Sequence, residues 1–566
     1  MKNIYIGLIL VALFTSSCED FLTTEPINKI AIEQYINDEG GLTQALAGVY
    51  DPLGSEAIYG NNLYTTLEAC TDEGYYARSA QVLGVQVYNF DPTSAEVTNL
   101  WTQLYLGINR ANDLIAHINV PKMDEAKRQE ILGEALFLRG YYYFMLVTRF
   151  GDVPLKLTPT TSPNEVQVPR STTADVYAQI LKDMKEAEGK VSQTRLQFST
   201  RVSRGVVQGI LARVCLQMAG YPLMDTSKYA DALLWSSKVI NSGDGYALNE
   251  TFKTENGGNA TYYNVTNPTN GKVTNNAYRQ IFINESEDIE DSKECMWEIS
   301  FKGNRTDSYS EAGRLGNTNG ITMAPSSGSS PLIANLGYSY GFIKGTGRLF
   351  NKYDTSGKDL RRDWVLTTYT FTVNNSTNTV TKTNITGTGV NTVKFGRDCG
   401  KWRREYETLQ PKNKNYTPLN FPVLRYADVL LMFAEAELNV NGPTPAALNA
   451  INQVRRRGYG LPVNTPSTVS DLVTLTQQDI EDERMRELCF EGLRRSDLIR
   501  WGKFVTTMNS VGAEMAAATN PNGTANNQQY GGRGGKNVTL KHLLFPIPSL
   551  ELLSNKALTQ NENWLN

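Results

Sequence analysis

The sequence predicts a mainly α-helical fold, a tetratricopeptide-like scaffold of helical hairpins with a loop-rich segment that contains short β-strands and hairpins. Three observations predict it. Apolar residues recur at helical spacing on both sides of a Gly/Pro turn, and a similar arrangement returns late in the chain. Between about 250 and 420 the sequence instead becomes rich in Asn, Thr and Gly.

The clearest helical hairpin begins at residue 204. In RGVVQGILARVCLQMAG (204–220) apolar residues recur every three or four positions, as on one face of an amphipathic helix, and a Gly/Pro turn ends the pattern. KYADALLWSSKVINSG (228–243) predicts a second helix that ends at a glycine. A helix, a short turn and a second helix form the unit of tetratricopeptide-like repeats.

Further helices are predicted on both sides of this hairpin, at irregular spacing. They lie around 101–119, 130–149, 173–189, 425–442 and 444–460. Because the spacing is irregular, we expect hairpins that pack around one another in a single domain (31–566). The helical scaffold is predicted over about 31–245 and 420–566.

The segment from about 246 to 420 is predicted to be loop-rich and to bind ligand. TENGGNATYYNVTNPTNGKVTNN (254–276) is polar and turn-rich, and CMWEISF (295–301) is strand-like. TTYTFTVNNSTNTVTKTNITGTG (367–389) predicts a hairpin with its turn near Asn374–Ser376. Such a sequence favours loops over core, and loops on a rigid scaffold are where binding residues concentrate.

Composition excludes several classes of function. The chain has 566 residues, a net charge of −3 and no basic stripe, so nothing indicates nucleic-acid binding. Two histidines, His117 and His542, leave little room for an imidazole base or a His-rich metal site. Aromatic residues reach 10%, which suits a surface that stacks against polyhydroxylated ligands.

The amino terminus predicts export and lipidation. An apolar run (4–14) is too short to span a bilayer, and small residues then lead to Cys18 and the acidic pair Glu19 and Asp20. This order resembles a bacterial lipoprotein signal, although Thr15 stands where Leu is usual. We predict a removed signal peptide (1–17), a lipidated Cys18 that begins an anchor and tether (18–30), and five remaining cysteines, an odd number that excludes a closed disulfide framework.

A series of landmarks runs through almost the whole chain. They are ALAGVY (45–50), WTQLYLGINRANDLI (101–115), GEALFLRGYYYFMLVTRFGDVP (133–154), RYADVLLMFAEAELNVNG (425–442), AINQVRRRGYG (450–460), ERMRELCFEGLRRSDLIRWG (483–502) and LLFPIPSLELLSNKALTQNENW (543–564). In this order they resemble the SusD/RagB family of Bacteroidetes outer-membrane nutrient-binding lipoproteins.

The resemblance implies a non-enzymatic protein of the cell exterior, held at the outer membrane by its lipid. It implies capture of glycans and their delivery to a partner, a SusC-like TonB-dependent transporter. No catalytic residue, metal ligand or cofactor is expected, although some relatives bind calcium.

Candidate ligand contacts follow from the chemistry of sugars, which need an aromatic platform and polar groups for the hydroxyls. TDEGYYARSA (71–80) is one candidate loop, and the stretches after the predicted strand at 295–301 are the second. The residues are Asp72, Glu73, Tyr75, Tyr76, Arg78, Asn304, Arg305, Tyr309, Arg314, Tyr338 and Tyr340.

Other prominent residues are predicted to have structural rather than ligand-binding roles. Trp101, the Tyr141–Tyr143 run and Trp501 lie in helical patterns and are predicted to pack in the core. In the 483–502 landmark, Glu483, Glu487 and Glu491 alternate with arginines three or four positions away, which predicts a face of ion pairs over an apolar face.

Three alternatives to glycan capture remain open. Peptide capture is one, because part of the RagB branch is associated with oligopeptide uptake and helical hairpins form grooves. A glycoside hydrolase is the second, but no pair of carboxylates stands out in the sequence. A scaffold without a small ligand is the third.

Overall fold

The structure is a computed structural model that describes residues 35–253, 259–260, 277–303, 313–325, 331–354, 356–377, 379–385 and 394–565. The predicted signal peptide, Cys18 and the tether lie outside the described residues. Within them the fold is mainly α-helical, as the sequence predicts.

The elements are labelled in chain order. The helices are α1 (Glu39–Tyr50), α2 (Ala95–His117), α3 (Glu125–Phe150), α4 (Thr173–Glu188), α5 (Arg204–Ala219), α6 (Lys228–Ile240), α7 (Ala277–Glu287), α8 (Leu315–Thr318), α9 (Pro331–Leu336), α10 (Gly347–Lys352), α11 (Arg362–Val365), α12 (Tyr426–Asn441), α13 (Pro445–Gly458), α14 (Gln477–Leu488), α15 (Arg494–Arg500), α16 (Phe504–Ala517), α17 (Arg533–Asn537) and α18 (Ser549–Ser554). The strands are β1 (Gly74–Tyr76), β2 (Phe252–Lys253), β3 (Asn259–Ala260), β4 (Cys295–Ile299), β5 (Ile343–Gly345), β6 (Tyr369–Asn374), β7 (Thr379–Asn384) and β8 (Phe421–Arg425).

The long helices pack in sequence order. Each helix from α1 to α6 contacts the next, and α12 returns against α6 before it pairs with α13 and α14. Where α2 meets α3, a Cβ on Gly107 would lie 2.3 Å from Cζ of Tyr142, so this close approach requires glycine. Tyr141, Tyr142 and Tyr143 are buried in the core, as predicted.

The loop-rich segment contributes more to the core than the sequence indicated. Strand β4 pairs antiparallel with β8 between Cys295 and Arg425, and all five of its residues are buried. Trp297 and Trp402 are fully buried. The expectation of a poor core former is therefore wrong here, because a short apolar run that is covered on both faces shows no alternation.

The predicted hairpin is confirmed. Strands β6 and β7 pair antiparallel, with Tyr369 opposite Asn384. In the turn, the side-chain oxygen of Asn374 accepts hydrogen bonds from the backbone N–H groups of Ser376 and Thr377, which is how asparagine stabilises tight turns.

The glutamates of the 483–502 landmark belong to a buried ion-pair network rather than to one helix face. Within α14 itself Glu483 pairs with Arg486, as the spacing predicts. Glu487 instead pairs with guanidinium groups from other elements, namely those of Arg361, Arg425 and Arg457. Helical spacing identifies neighbours along one helix, but it carries no information about which distant chain segments pack against that helix.

The cysteines behave as small buried side chains. Cys70, Cys215, Cys295, Cys399 and Cys489 are all buried and free of disulfides. Burial raises the pKa of the Cys215 thiol to about 12, so it stays protonated. Across the described part of the chain, no helix combines the length and apolar character needed to cross a bilayer.

Candidate ligand-binding site

The predicted site residues fall into three groups. Asn304, Arg305 and Tyr309 lie outside the described residues. Three residues of the 71–80 stretch are interior, whereas the remaining candidates meet at the surface. Those surface residues are Tyr76, Arg78, Arg314, Tyr338 and Tyr340.

Asp72, Glu73 and Tyr75 are buried, which differs from the exposed loop predicted for them. The carboxylate of Asp72 accepts hydrogen bonds from Nε and Nη2 of Arg494, each at 2.8 Å. Glu73 accepts the backbone N–H of Phe490 at 2.8 Å, and burial raises the pKa of its carboxyl to about 8. Because their polar atoms are bonded to other groups of the protein, we no longer consider these residues candidate ligand contacts.

The surface residues form a ladder of aromatic rings, here called the aromatic platform and defined by Tyr76, Tyr338, Tyr340 and Phe342. The ring centroids of Tyr338 and Tyr340 lie 4.8 Å apart. Tyr340 stacks on Phe342 at 4.9 Å with an angle of 4° between the ring planes. Phe342 in turn stacks on Tyr76 at 5.2 Å. All four side chains are half-buried, so each keeps part of its surface open.

Backbone pairing builds this platform from two distant parts of the chain. Strand β1 pairs antiparallel with β5, with Tyr76 opposite Ile343, and the N–H of Ala77 donates to the carbonyl of Phe342 at 2.6 Å. Upstream, the backbone N–H groups of Tyr340 and Phe342 donate to the carbonyls of Asn317 and Thr318 in α8. The pairing holds the rings in fixed positions before any ligand arrives.

Gly341 makes the stacking of Tyr340 on Phe342 compatible with the backbone. Tyr338 and Tyr340 project from one face of an extended stretch, and Ser339 is buried on the other. Gly341 has φ +55°, and a Cβ there would lie 2.1 Å from Oγ1 of Thr322, so the turn that brings the rings together requires glycine.

Cationic side chains border the platform. The guanidinium of Arg78 lies 4.7 Å from the centroid of Phe342, and its Nη2 donates to the carbonyl of Tyr340 at 3.0 Å. The ammonium of Lys414 lies 5.2 Å from the centroid of Tyr338. Arg314 pairs with Glu56 at 3.2 Å. The contacts of Arg78 with Phe342 and of Lys414 with Tyr338 are cation–π interactions.

The phenols of Tyr76 and Tyr338 remain neutral at physiological pH, because their pKa values are raised. Burial raises the pKa of Tyr76, and it likewise raises the pKa of Tyr338, next to Tyr340. Each hydroxyl can therefore both donate and accept a hydrogen bond. Stacking faces, neutral hydroxyls and fixed cations together can bind a ring that has an apolar face and a polar edge.

A cleft of about 740 Å³ forms a second concave surface, between α1, the start of α3 and the end of β4. Its charges are largely paired, as Lys127 is with Glu39 and Arg201 with Glu134. Tyr50 lines it, but the Tyr50 hydroxyl donates to Glu134 at 2.6 Å. We therefore favour the platform, whose four aromatic side chains are partly exposed, as the candidate site.

Glu285, Cys295 and Glu298 are the side chains closest to a metal-binding cluster in the described ranges. The thiol of Cys295 donates to Glu285 at 3.0 Å. Burial raises the pKa of both carboxyls and of the thiol, which disfavours their charged forms. A buried cluster that includes a thiol is poorly suited to calcium, which prefers oxygen ligands, and we assign it no ligand.

Sequence reasoning missed Phe342 and Lys414. Phe342 lies within the GYSYGF stretch (337–342), whose alternating aromatics were the available signal. Lys414 carries no local signal, because it reaches Tyr338 from a separate loop.

The fold and this surface define a class of protein, a helical scaffold that presents a partly exposed aromatic surface. The chain belongs to the SusD family: the model described as "SusD family" matches residues 247–564. A second model, described as "Starch-binding associating with outer membrane", matches residues 20–216. The resemblance seen in the sequence is thereby confirmed.

Individual relatives agree with this assignment. The chain is 25% identical to SusD-like protein P25 of Formosa agariphila over 96% of this chain and 95% of the relative. It is 28% identical to the starch-binding protein SusD of Bacteroides thetaiotaomicron, over 30% of this chain and 26% of that protein. A crystal structure of a SusD homologue from the same species is 27% identical, with a TM-score of 0.80, covering 94% of this chain and 98% of that one.

Proposed function

We propose that the protein is a cell-surface glycan-binding lipoprotein, which captures an oligo- or polysaccharide and delivers it to a SusC-like TonB-dependent transporter in the outer membrane. The observation that carries the proposal is the aromatic platform. Its rings step along the surface at centroid separations of 4.8, 4.9 and 5.2 Å, so that a chain of sugar rings can contact several of them in succession.

Family membership supports this proposal. A model that matches the first part of the chain is described by starch binding and by association with the outer membrane. The relative from Bacteroides thetaiotaomicron is named a starch-binding protein. The chain also combines a half-buried aromatic surface with neutral hydroxyls, which is the chemistry that polyhydroxylated ligands require.

We propose binding without catalysis and without a cofactor. Glycoside hydrolysis needs two carboxyl groups that face each other across the bond to be cleaved. Asp72 and Glu73, the acids next to the platform in sequence, are interior and bonded to Arg494 and Phe490. Stacking and hydrogen bonding need neither a metal nor a prosthetic group.

A binding screen tests the proposal. The purified chain from residue 19 onward is run by native affinity electrophoresis through gels that contain individual polysaccharides, and oligopeptide mixtures are titrated in parallel by calorimetry. We expect retardation by at least one polysaccharide and no heat of binding with peptides. Peptide binding with no response to any polysaccharide would overturn glycan capture in favour of the oligopeptide alternative.

Replacement of Cys18 by alanine is expected to release the protein from the membrane. Without the thiol no lipid can be attached, and several acyl chains anchor far more firmly than any single one. The measurement is the fraction of protein that sediments with membranes and is accessible to protease on intact cells. Cys70→Ala is the matched control, because that thiol is buried in the folded domain; a Cys18→Ala protein that remained membrane-bound would contradict the anchor.

A further inference from the structure

We infer that the ligand of the platform is an anionic saccharide, with a carboxylate or sulfate group that Arg78 and Lys414 recognise. This inference rests on the proposed function and narrows its substrate class. The observation behind it is an imbalance of charge, since the chain as a whole is slightly acidic, with a net charge of −3, whereas fixed cations border the platform.

Neither cation has an acidic partner among the residues that the structure describes. Among the ion pairs of the described residues, Arg314 is matched by Glu56, but Arg78 and Lys414 appear in none. Many arginines of the described residues are matched by carboxylates, as Arg494 is by Asp72 and Arg500 by Glu435, although Arg170, Arg195 and Arg533 bond neutral acceptors. Two unmatched cations beside one aromatic surface therefore leave positive potential where a ligand would lie.

The Arg78 guanidinium is held in place by its own contacts. One nitrogen, Nη2, donates to the carbonyl of Tyr340, and Cζ lies 4.7 Å from the centroid of Phe342. Among the hydrogen bonds of the described residues the Arg78 side chain makes this one, so other N–H donors of the group can reach a planar anion. A guanidinium binds carboxylate or sulfate oxygens through two parallel hydrogen bonds, and it loses little freedom when it is already fixed.

The two cations contact different rings of the ladder. Arg78 lies beside Phe342 and the carbonyl of Tyr340, and Lys414 lies beside Tyr338. A polysaccharide that runs along the rings would place successive sugar residues beside each cation in turn. Anionic sugars would supply both cations with charged partners, whereas a neutral glycan would leave them with only hydroxyl partners.

The test uses two pairs of polymers that differ in charge. Polygalacturonate is compared with its carboxyl-reduced form, and dextran sulfate is compared with dextran, each by calorimetry or affinity electrophoresis at 50 and 300 mM salt. We expect at least one anionic member to bind at least tenfold more tightly than its neutral match, and the pair that responds identifies carboxylate or sulfate. Salt should weaken that binding.

Variants assign the effect to the two cations. Arg78→Gln and Lys414→Gln are each expected to weaken binding of the anionic polymer about tenfold and to change neutral binding less than twofold. Lys556→Gln is the charge-matched control, because this exposed lysine lies beside Gln167 in the carboxyl-terminal segment. Circular dichroism should show the same melting temperature for all three variants.

Several outcomes would overturn the inference, and they can be told apart. If neutral and anionic members bind equally, or if Arg78→Gln weakens both equally, the cations hydrogen-bond to sugar hydroxyls rather than to anionic groups. The proposed glycan capture then still stands. If poly-L-glutamate binds as tightly as polygalacturonate, the surface recognises charge rather than sugar. If no polysaccharide of any kind binds, the inference and the proposed function fail together.

Discussion

Replacing Glu487 with glutamine is expected to lower the free energy of unfolding by about 3–5 kcal/mol, the cost of removing one partner from a buried ion pair. The carboxylate of Glu487 is fully buried and accepts from Arg457 at 2.5 Å, Arg425 at 2.9 Å and Arg361 at 3.1 Å. These three residues come from separate parts of the chain, so the loss would loosen the junction between the helical scaffold and the central segment.

The penalty arises because three buried guanidinium groups would lose a shared negative charge. Burial alone would raise the pKa of Glu487, but Arg457, Arg425 and Arg361 outweigh it and lower the pKa to about 2. A carboxyl with a lowered pKa stabilises the fold above its unfolded value near 4.5, and this contribution is lost as the pH falls toward about 2. The loss of unfolding free energy in Glu487→Gln should therefore be complete at pH 7 and should become smaller below about pH 4.5.

Urea unfolding followed by circular dichroism at pH 7 and at pH 4 measures this difference. Glu514→Gln is the matched control, because Glu514 pairs with Arg348 at the surface with 49% of its side chain exposed. Exposed pairs contribute about 0–1 kcal/mol, so the control should unfold close to the wild type. A Glu487→Gln protein within 1 kcal/mol of the wild type at pH 7 would contradict the role assigned to the network.

The contrast between Glu487 and helix α5 explains what a sequence can predict in this protein. The periodicity of 204–220 is local, and the structure places α5 at Arg204–Ala219, as the pattern indicates. The partners of Glu487 lie 30, 62 and 126 residues away along the chain. Local spacing identifies the helix, but only the folded topology determines which charges meet.

The candidate site shows the same distinction between local sequence signals and contacts that depend on the folded topology. Tyr338 and Tyr340 could be predicted as candidates because aromatic residues alternate in a turn-rich stretch, which is a local signal. The interior position of Asp72 depends on Arg494, 422 residues away, and no feature of TDEGYYARSA reports that contact. Likewise, Tyr76 joins the ladder only because β1 pairs with β5.

Replacing Tyr340 with alanine is expected to weaken glycan binding by about 2 kcal/mol, roughly 30-fold, as is typical when a central aromatic contact residue is truncated. Tyr340 is the inner ring of the ladder, in contact with Tyr338 on one side and Phe342 on the other. Its removal interrupts the stacking surface at its middle, so a bound sugar chain would lose the contact there and the support of both neighbours.

The variant should fold, because the bonds that hold residue 340 belong to the backbone. Its N–H donates to Asn317 and its carbonyl accepts from Arg78, and alanine retains both groups.

Tyr340→Phe separates the contribution of the ring from that of the hydroxyl, since it keeps the ring and removes the hydroxyl. We expect it to bind within a few-fold of the wild type. Tyr35→Ala, at a tyrosine that is 38% exposed outside the platform, is the control. Affinity for the best polysaccharide of the binding screen is the measurement. If Tyr340→Ala bound that polysaccharide as tightly as Tyr35→Ala, the ladder would be a packing feature and the ligand would have to lie elsewhere, with the cleft between α1 and β4 the next surface to test.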